Sequence, residues 1–110
     1  MRQQLAQFAI ELEAIRFVSL RQLTRQIKGE PPGPEGSITK LAASELNVRM
    51  MFFAIELLGP YGQLLHDSKH AIDRGRWFHH ALASRLLTIA GGTSEIQRNI
   101  LAHRTLEMPR

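Results

Sequence analysis

Apolar residues recur at helical spacing through the first quarter of the chain. Leu5, Phe8, Leu12 and Ile15 follow one another at steps of three and four, and Leu23 and Ile27 extend the stripe. A second line, Ile10, Ala14, Phe17 and Leu20, runs beside it. Residues 2–28 hold neither Gly nor Pro. The pattern predicts one long helix, with an apolar face wider than packing on a single neighbour requires. Such a helix is expected to touch neighbours on two sides, within its own bundle or across a subunit boundary. Gly29 to Gly36, with Pro31, Pro32 and Pro34 inside it, ends the helix. A second helix is predicted from about residue 37, with Ser37 as its N-cap, to Leu58. It carries Leu41, Val48, Phe52 and Ile55 on one line and Leu46, Met50, Phe53 and Leu57 on the next.

Gly59-Pro60-Tyr61-Gly62 closes that helix, and the polar stretch from Gln63 to Gly75 reads as a connection with room for a short helical turn. A third helix is predicted from Arg76 or Trp77 to Ile89, with Phe78, Leu82, Leu86 and Ile89 on one side. Gly91-Gly92 stops it. Thr93 or Ser94 then caps a fourth helix ending near Leu106, and Ser94-Glu95-Ile96-Gln97 fits a Ser-x-x-Gln capping box. No alternating apolar pattern predicts a strand, and no internal repeat is visible. The fold class is all-α, one domain over residues 1–110, with two long helices followed by two shorter ones.

Composition narrows the classes of function. The chain has 110 residues, 44% hydrophobic and 22% charged, as an ordinary globular domain does. Its formal charge of +4, from 14 Lys+Arg against 10 Asp+Glu, is too small an excess to point to nucleic acid. The absence of cysteine excludes disulfides, thiolate metal sites and thiol nucleophiles. No apolar run approaches the roughly 20 residues of a membrane span. Gln3, Gln4 and Gln7 interrupt any leader-like apolar stretch, so a cytoplasmic protein with no membrane partner is expected.

Chemistry concentrates in Thr88-Ile89-Ala90-Gly91-Gly92-Thr93-Ser94-Glu95-Ile96-Gln97-Arg98. A Gly-Gly turn that feeds a helix start leaves several backbone N–H groups pointing one way, at the positive end of the helix dipole. That arrangement suits an anionic group such as a phosphate. The same letters also describe an ordinary helix–helix turn, and the local pattern alone leaves both readings open. His66 and His70 sit four apart but in a predicted loop, with no carboxylate to complete a metal-ligand set. Arg16, Arg21, Arg25, Arg49 and Arg98 read as solvated helix surface, although they could also line a basic groove. Glu56 interrupts an apolar stretch, as a rim residue or as a polar contact to a ligand.

Taken together, four stretches resemble the C-terminal helical domain of the acyl-CoA dehydrogenases, FAD-dependent enzymes that desaturate acyl-CoA thioesters at Cα–Cβ. They are Leu5-Ala6-Gln7-Phe8-Ala9-Ile10-Glu11-Leu12-Glu13-Ala14-Ile15-Arg16; Pro34-Glu35-Gly36-Ser37-Ile38-Thr39-Lys40-Leu41 with Ser44-Glu45; Ala54-Ile55-Glu56-Leu57-Leu58-Gly59-Pro60-Tyr61-Gly62; and Ile89 to Ala102. Their order and spacing span nearly the whole chain. The resemblance implies a helical bundle, here without the family bundle's first helix, that packs across a subunit interface with FAD held between subunits. It implies that the Gly92-Thr93-Ser94-Glu95 loop contacts the cofactor, with Thr93 and Glu95 as the contacts, and that the segment holding Glu56 and Gly59 meets the FAD of a neighbouring subunit.

Two positions depart from the family pattern. Glu56 stands where the family often has Gln; an amide donates and accepts, whereas a carboxylate only accepts and repels a diphosphate. Gly91 stands where many members place the Glu that abstracts the α-proton, so no catalytic residue can be assigned. The resemblance therefore implies a fragment or truncated relative that acts on acyl-CoA only beside further domains. Its expected partners are a second copy or a full-length dehydrogenase subunit. The alternative is a non-catalytic helical interaction module derived from the same family. Acyl-chain preference is not legible.

Overall fold

A computed structural model describes residues 1–109. Four α-helices are present: α1 (Arg2–Ile27), α2 (Glu35–Leu58), α3 (Arg76–Leu87) and α4 (Ser94–Thr105), with short 3-10 turns at Gly59–Gln63 and Ile72–Gly75. No strand occurs among the described residues. The all-α reading and the order of two long helices before two shorter ones hold.

The boundaries move where local chemistry overrides the pattern. Helix α2 begins at Glu35, not after Ser37, because the Pro34 carbonyl already accepts the first helical bond, from Ile38 N–H at 3.0 Å. Proline has no N–H to lose there, and Glu35 places a negative charge in the first turn. Helix α3 stops at Leu87, two residues before Ile89. The cap of α4 is Thr93: its backbone is extended (φ −63°, ψ 165°) and its hydroxyl accepts from Ile96 N–H at 3.3 Å. The fourth residue of that cap is Ile96, which has no polar group to return the bond. The predicted Ser94–Gln97 capping box is therefore not formed.

The chain divides into two compact units. Met1–Ala43 and the segment from Gly92 onward make the first, and Ser44–Gly91 the second. In the first unit Phe8 is buried, and so is Glu35 at the head of α2. Arg21 Nε lies 3.2 Å and Arg25 Nη1 3.6 Å from Glu35 Oε1, while Arg25 Nε meets Glu30 Oε2 at 3.4 Å. Arg25 Nη2 also donates to the Pro31 carbonyl at 3.1 Å. One arginine of α1 thus fastens both ends of the proline-rich loop. A Cβ on Gly33 would run into Glu35 Oε2 and lie 2.9 Å from Arg25 Nη1, so these side chains would have to shift to admit one.

In the second unit Leu46 and Ala81 are buried apolar residues, and the buried Ser84 hydroxyl donates to the Ala81 carbonyl at 2.6 Å. Helix α3 packs on the two 3-10 turns. The Arg85 guanidinium lies 4.8 Å from the centre of the Phe52 ring. Asp73 and Arg74 have left-handed backbones (φ 49° and 54°) and lead into Gly75, the residue type that tolerates that conformation.

Most of the stripe on α1 is wet. Leu5 and Leu23 are half-exposed, and Ile10, Phe17 and Ile27 are 65%, 63% and 78% exposed. Of the predicted apolar face, Phe8 is buried and Ile15 half-buried. Among the described residues no helix is long and apolar enough to cross a membrane.

Candidate functional site

The turn into α4 is built from two glycines and a capping threonine. Gly91 and Gly92 have φ of 71° and 98°, which side-chain-bearing residues avoid. At Gly91 the constraint is conformational alone, since a Cβ there would meet nothing within 4 Å. At Gly92 it is also steric, since a Cβ would lie 2.9 Å from Nε2 of the buried Gln97.

Thr93 caps the helix, its hydroxyl oxygen accepting from the Ile96 N–H. Glu95 is held below its ordinary value of 4.5, first by its own backbone N–H and then by the Thr93 hydroxyl. Burial opposes that shift, and the charges of Arg98 and then Lys40 add to it more weakly. Arg98 Nη1 lies 4.0 Å from Glu95 Oε1. Glu95 is exposed and ionised at neutral pH, so it offers an acceptor to hydroxyl or amine groups and repels phosphates.

A further residue joins the site from α2. Lys40, half-buried, donates from Nζ to the Gly92 carbonyl, 52 positions away in sequence. Gly92, Thr93, Glu95 and Lys40 therefore stand together in the first unit. Sequence reasoning missed Lys40, because nothing local marks a lysine as the partner of a distant carbonyl. It also missed Glu35, and it assigned Arg21 and Arg25 to solvated surface although both pair with that buried carboxylate.

The other predicted residues belong to the second unit. Glu56 is exposed near the C-terminal end of α2, and Gly59 opens the 3-10 turn with φ 56°. His66 Nε2 sits 2.9 Å from the Asp67 carboxylate, with both side chains exposed. Among the described residues no three His, Asp or Glu side chains are grouped as metal ligands. A shallow hollow of about 400 Å³ in this unit is lined by Asn47, Met51, Arg76, Trp77 and His80, and Arg76 Nε donates to His80 Nε2 at 3.2 Å across its rim.

The first turn of α4 offers donors and an acceptor to a polar ligand. The N–H groups of Thr93 and Ser94 have no partner within the helix and suit an oxyanion. The Glu95 carboxylate suits a hydroxyl or amine on the same ligand. Nothing at Gly91 can exchange a proton.

Comparison with known proteins agrees with this architecture. Residues 1–106 match the family described as "Acyl-CoA dehydrogenase, C-terminal domain". Acyl-CoA dehydrogenase FadE26 of Mycobacterium tuberculosis is 29% identical over 109 residues, covering 96% of this chain and 27% of that protein. Acyl-CoA dehydrogenase IpdE1 of Mycolicibacterium smegmatis is 32% identical over 109 residues, covering 99% and 26%. The human mitochondrial short-chain specific acyl-CoA dehydrogenase is 32% identical over 102 residues, covering 93% and 23%. The chain thus spans about a quarter of the length of these relatives.

Among solved structures, the ChsE4–ChsE5 complex from Mycobacterium tuberculosis superposes with a TM-score of 0.84 at 28% identity, covering 99% of this chain and 28% of that one. The Tcur3481–Tcur3483 steroid acyl-CoA dehydrogenase gives 0.85 at 26% identity, covering 99% and 28%. A helical architecture shared with these enzymes, and a family match along almost its entire length, make this chain a member of the acyl-CoA dehydrogenase family, corresponding to the C-terminal helical domain.

Proposed function

We propose that this chain supplies the C-terminal cofactor-contacting and subunit-packing part of an FAD-dependent acyl-CoA dehydrogenase. In this reading it works beside domains that hold the thioester. The observation that carries the reading is the first turn of α4, where two glycines of positive φ, a capping Thr93 and an ionised Glu95 follow one another. Thr93 and Ser94 would hold FAD through backbone N–H groups, and Glu95 through its carboxylate. Glu56 and Gly59 would meet the FAD of a neighbouring subunit. When bound, FAD supplies the hydride acceptor of the desaturation. Gly91 stands at the family's base position and has no side chain to take the α-proton, so that position supplies no base here.

The relatives also suggest how it assembles. One similar structure is named as a ChsE4–ChsE5 complex, and another carries the paired name Tcur3481–Tcur3483. The exposed apolar stripe of α1 is the kind of surface a second subunit covers. That stripe equally favours a second reading, a helical interaction module that has kept the packing and lost the redox chemistry.

Flavin absorbance and fluorescence, with light scattering on the same sample, separate the two. Stoichiometric FAD in an oligomer of this chain, or in its complex with a full-length dehydrogenase subunit, is the expected result. A well-folded oligomer or complex that retains no FAD would overturn the first reading and leave the second.

A further inference from the structure

We propose that Lys40 is the positioning residue of the α4 turn. Its ammonium holds the Gly92 carbonyl and so aims the Gly92–Thr93 peptide, with its N–H, outward to the ligand face. A trans peptide is flat and its C=O and N–H point in opposite directions, so fixing the oxygen fixes the direction of the hydrogen. Gly92 O and Thr93 N–H belong to one such plane, and Lys40 Nζ donates to that oxygen.

The plane needs an anchor. Gly91 and Gly92 are the two most freely rotating residues the turn could contain, and each has a positive φ that is one choice among several for glycine. Gln97 closes one side of Gly92, where a Cβ would stand 2.9 Å from Nε2. Lys40 holds the turn from α2, a long helix that carries no glycine after Gly36 and keeps its own backbone in register. A charged donor on a carbonyl is among the stronger hydrogen bonds, and it polarises the N–H on the far side of the same peptide. The result is a Thr93 N–H both aimed and strengthened as a donor, next to a helix start already favourable to anions.

The proposal rests on the function proposed above only for the identity of the ligand. It concerns the geometry of the turn, and its test works on the full chain without cofactor. Lys40→Met removes the ammonium and keeps the stem, whereas Lys40→Arg keeps a donor. Amide exchange at Ile96 and Gln97, whose N–H groups bond to Thr93 Oγ1 and Thr93 O, reports whether the cap is held.

In Lys40→Met these two amides should exchange about tenfold faster, the size expected for losing one hydrogen bond from a charged donor. The Thr93 amide resonance should shift, and the amides of Val48 to Met51 in mid-α2 should keep their rates. Lys40→Arg should restore Ile96 and Gln97 to within about twofold of the native rate. Unchanged exchange at Ile96 and Gln97 would overturn the proposal. Equal acceleration along the whole chain would overturn it too, since that marks general loss of stability. Titration with FAD is the second readout. If the native assembly binds FAD and Lys40→Met binds it equally well, aiming of the Thr93 N–H is refuted. If the native assembly binds none, the cofactor reading fails and the exchange rates alone decide the role of Lys40.

Discussion

Gly91 and Gly92 look alike in sequence and differ in what they require. Ala at Gly91 meets no neighbour and carries only the left-handed backbone cost, about 1 kcal/mol. Ala at Gly92 adds a collision with the buried Gln97 amide, so it should cost roughly 1–3 kcal/mol more. Urea unfolding of the two variants checks the order, and a smaller loss at Gly92 would contradict the geometry. Glu95 gives a second test at this scale. Its carboxyl titrates below its ordinary value, so the unfolded chain takes up the proton first as pH falls. The backbone N–H of Glu95, and after it the Thr93 hydroxyl, therefore add stability that is complete above the ordinary carboxylate range and lost as the pH falls through the lowered midpoint. In Glu95→Gln that acid-side loss should vanish, as thermal melts across pH 3 to 7 would show.

Helix positions were readable because Gly and Pro stand between long runs of helix formers, and each of the four predicted helices exists within two residues of its bounds. The errors share one cause. Cap positions depend on a single backbone torsion, so Ser94 yields to Thr93, and Ser37 yields to a start fixed by the Pro34 carbonyl. The same limit hid the site's long-range parts. Gly92, Thr93 and Glu95 are neighbours in sequence and were legible, whereas Lys40 reaches them across 52 positions. Glu35 and its arginines form by the return of the chain onto α1, which no local pattern records. Their energies should differ sharply. Arg25 is mostly covered and Arg21 is not, with side-chain exposures of 30% and 74%. Arg25→Met leaves Glu35 buried beside a single solvated partner and should cost about 2–4 kcal/mol. Arg21→Ala should cost less than about 1 kcal/mol. Comparable losses in chemical denaturation would mean that the cluster acts as one network.

Across the whole molecule the outstanding property is how much apolar surface meets water. Phe8, Leu46 and Ala81 are the buried apolar residues among those described, while Ile10, Phe17, Ile27, Leu82 and Leu86 are each more than half exposed. Replacing Ile10 and Phe17 by Gln should leave the stability of the separate chain within about 0.5 kcal/mol per site, because neither side chain is buried. The same pair of changes should shift sedimentation towards monomer, or abolish capture by a dehydrogenase subunit. If association is unchanged, the α1 stripe is not the surface that binds.

That wetted stripe also sets the terms on which a cell can keep this protein. Chaperones and proteases recognise apolar residues held in water, and they compete with any lawful occupant for the same helix. If a partner covers α1 as proposed, the copy number of the chain should follow that partner's synthesis, with surplus copies turned over quickly. Expression matched to that occupant would then be as much a part of the protein's stability as Phe8 or Leu46.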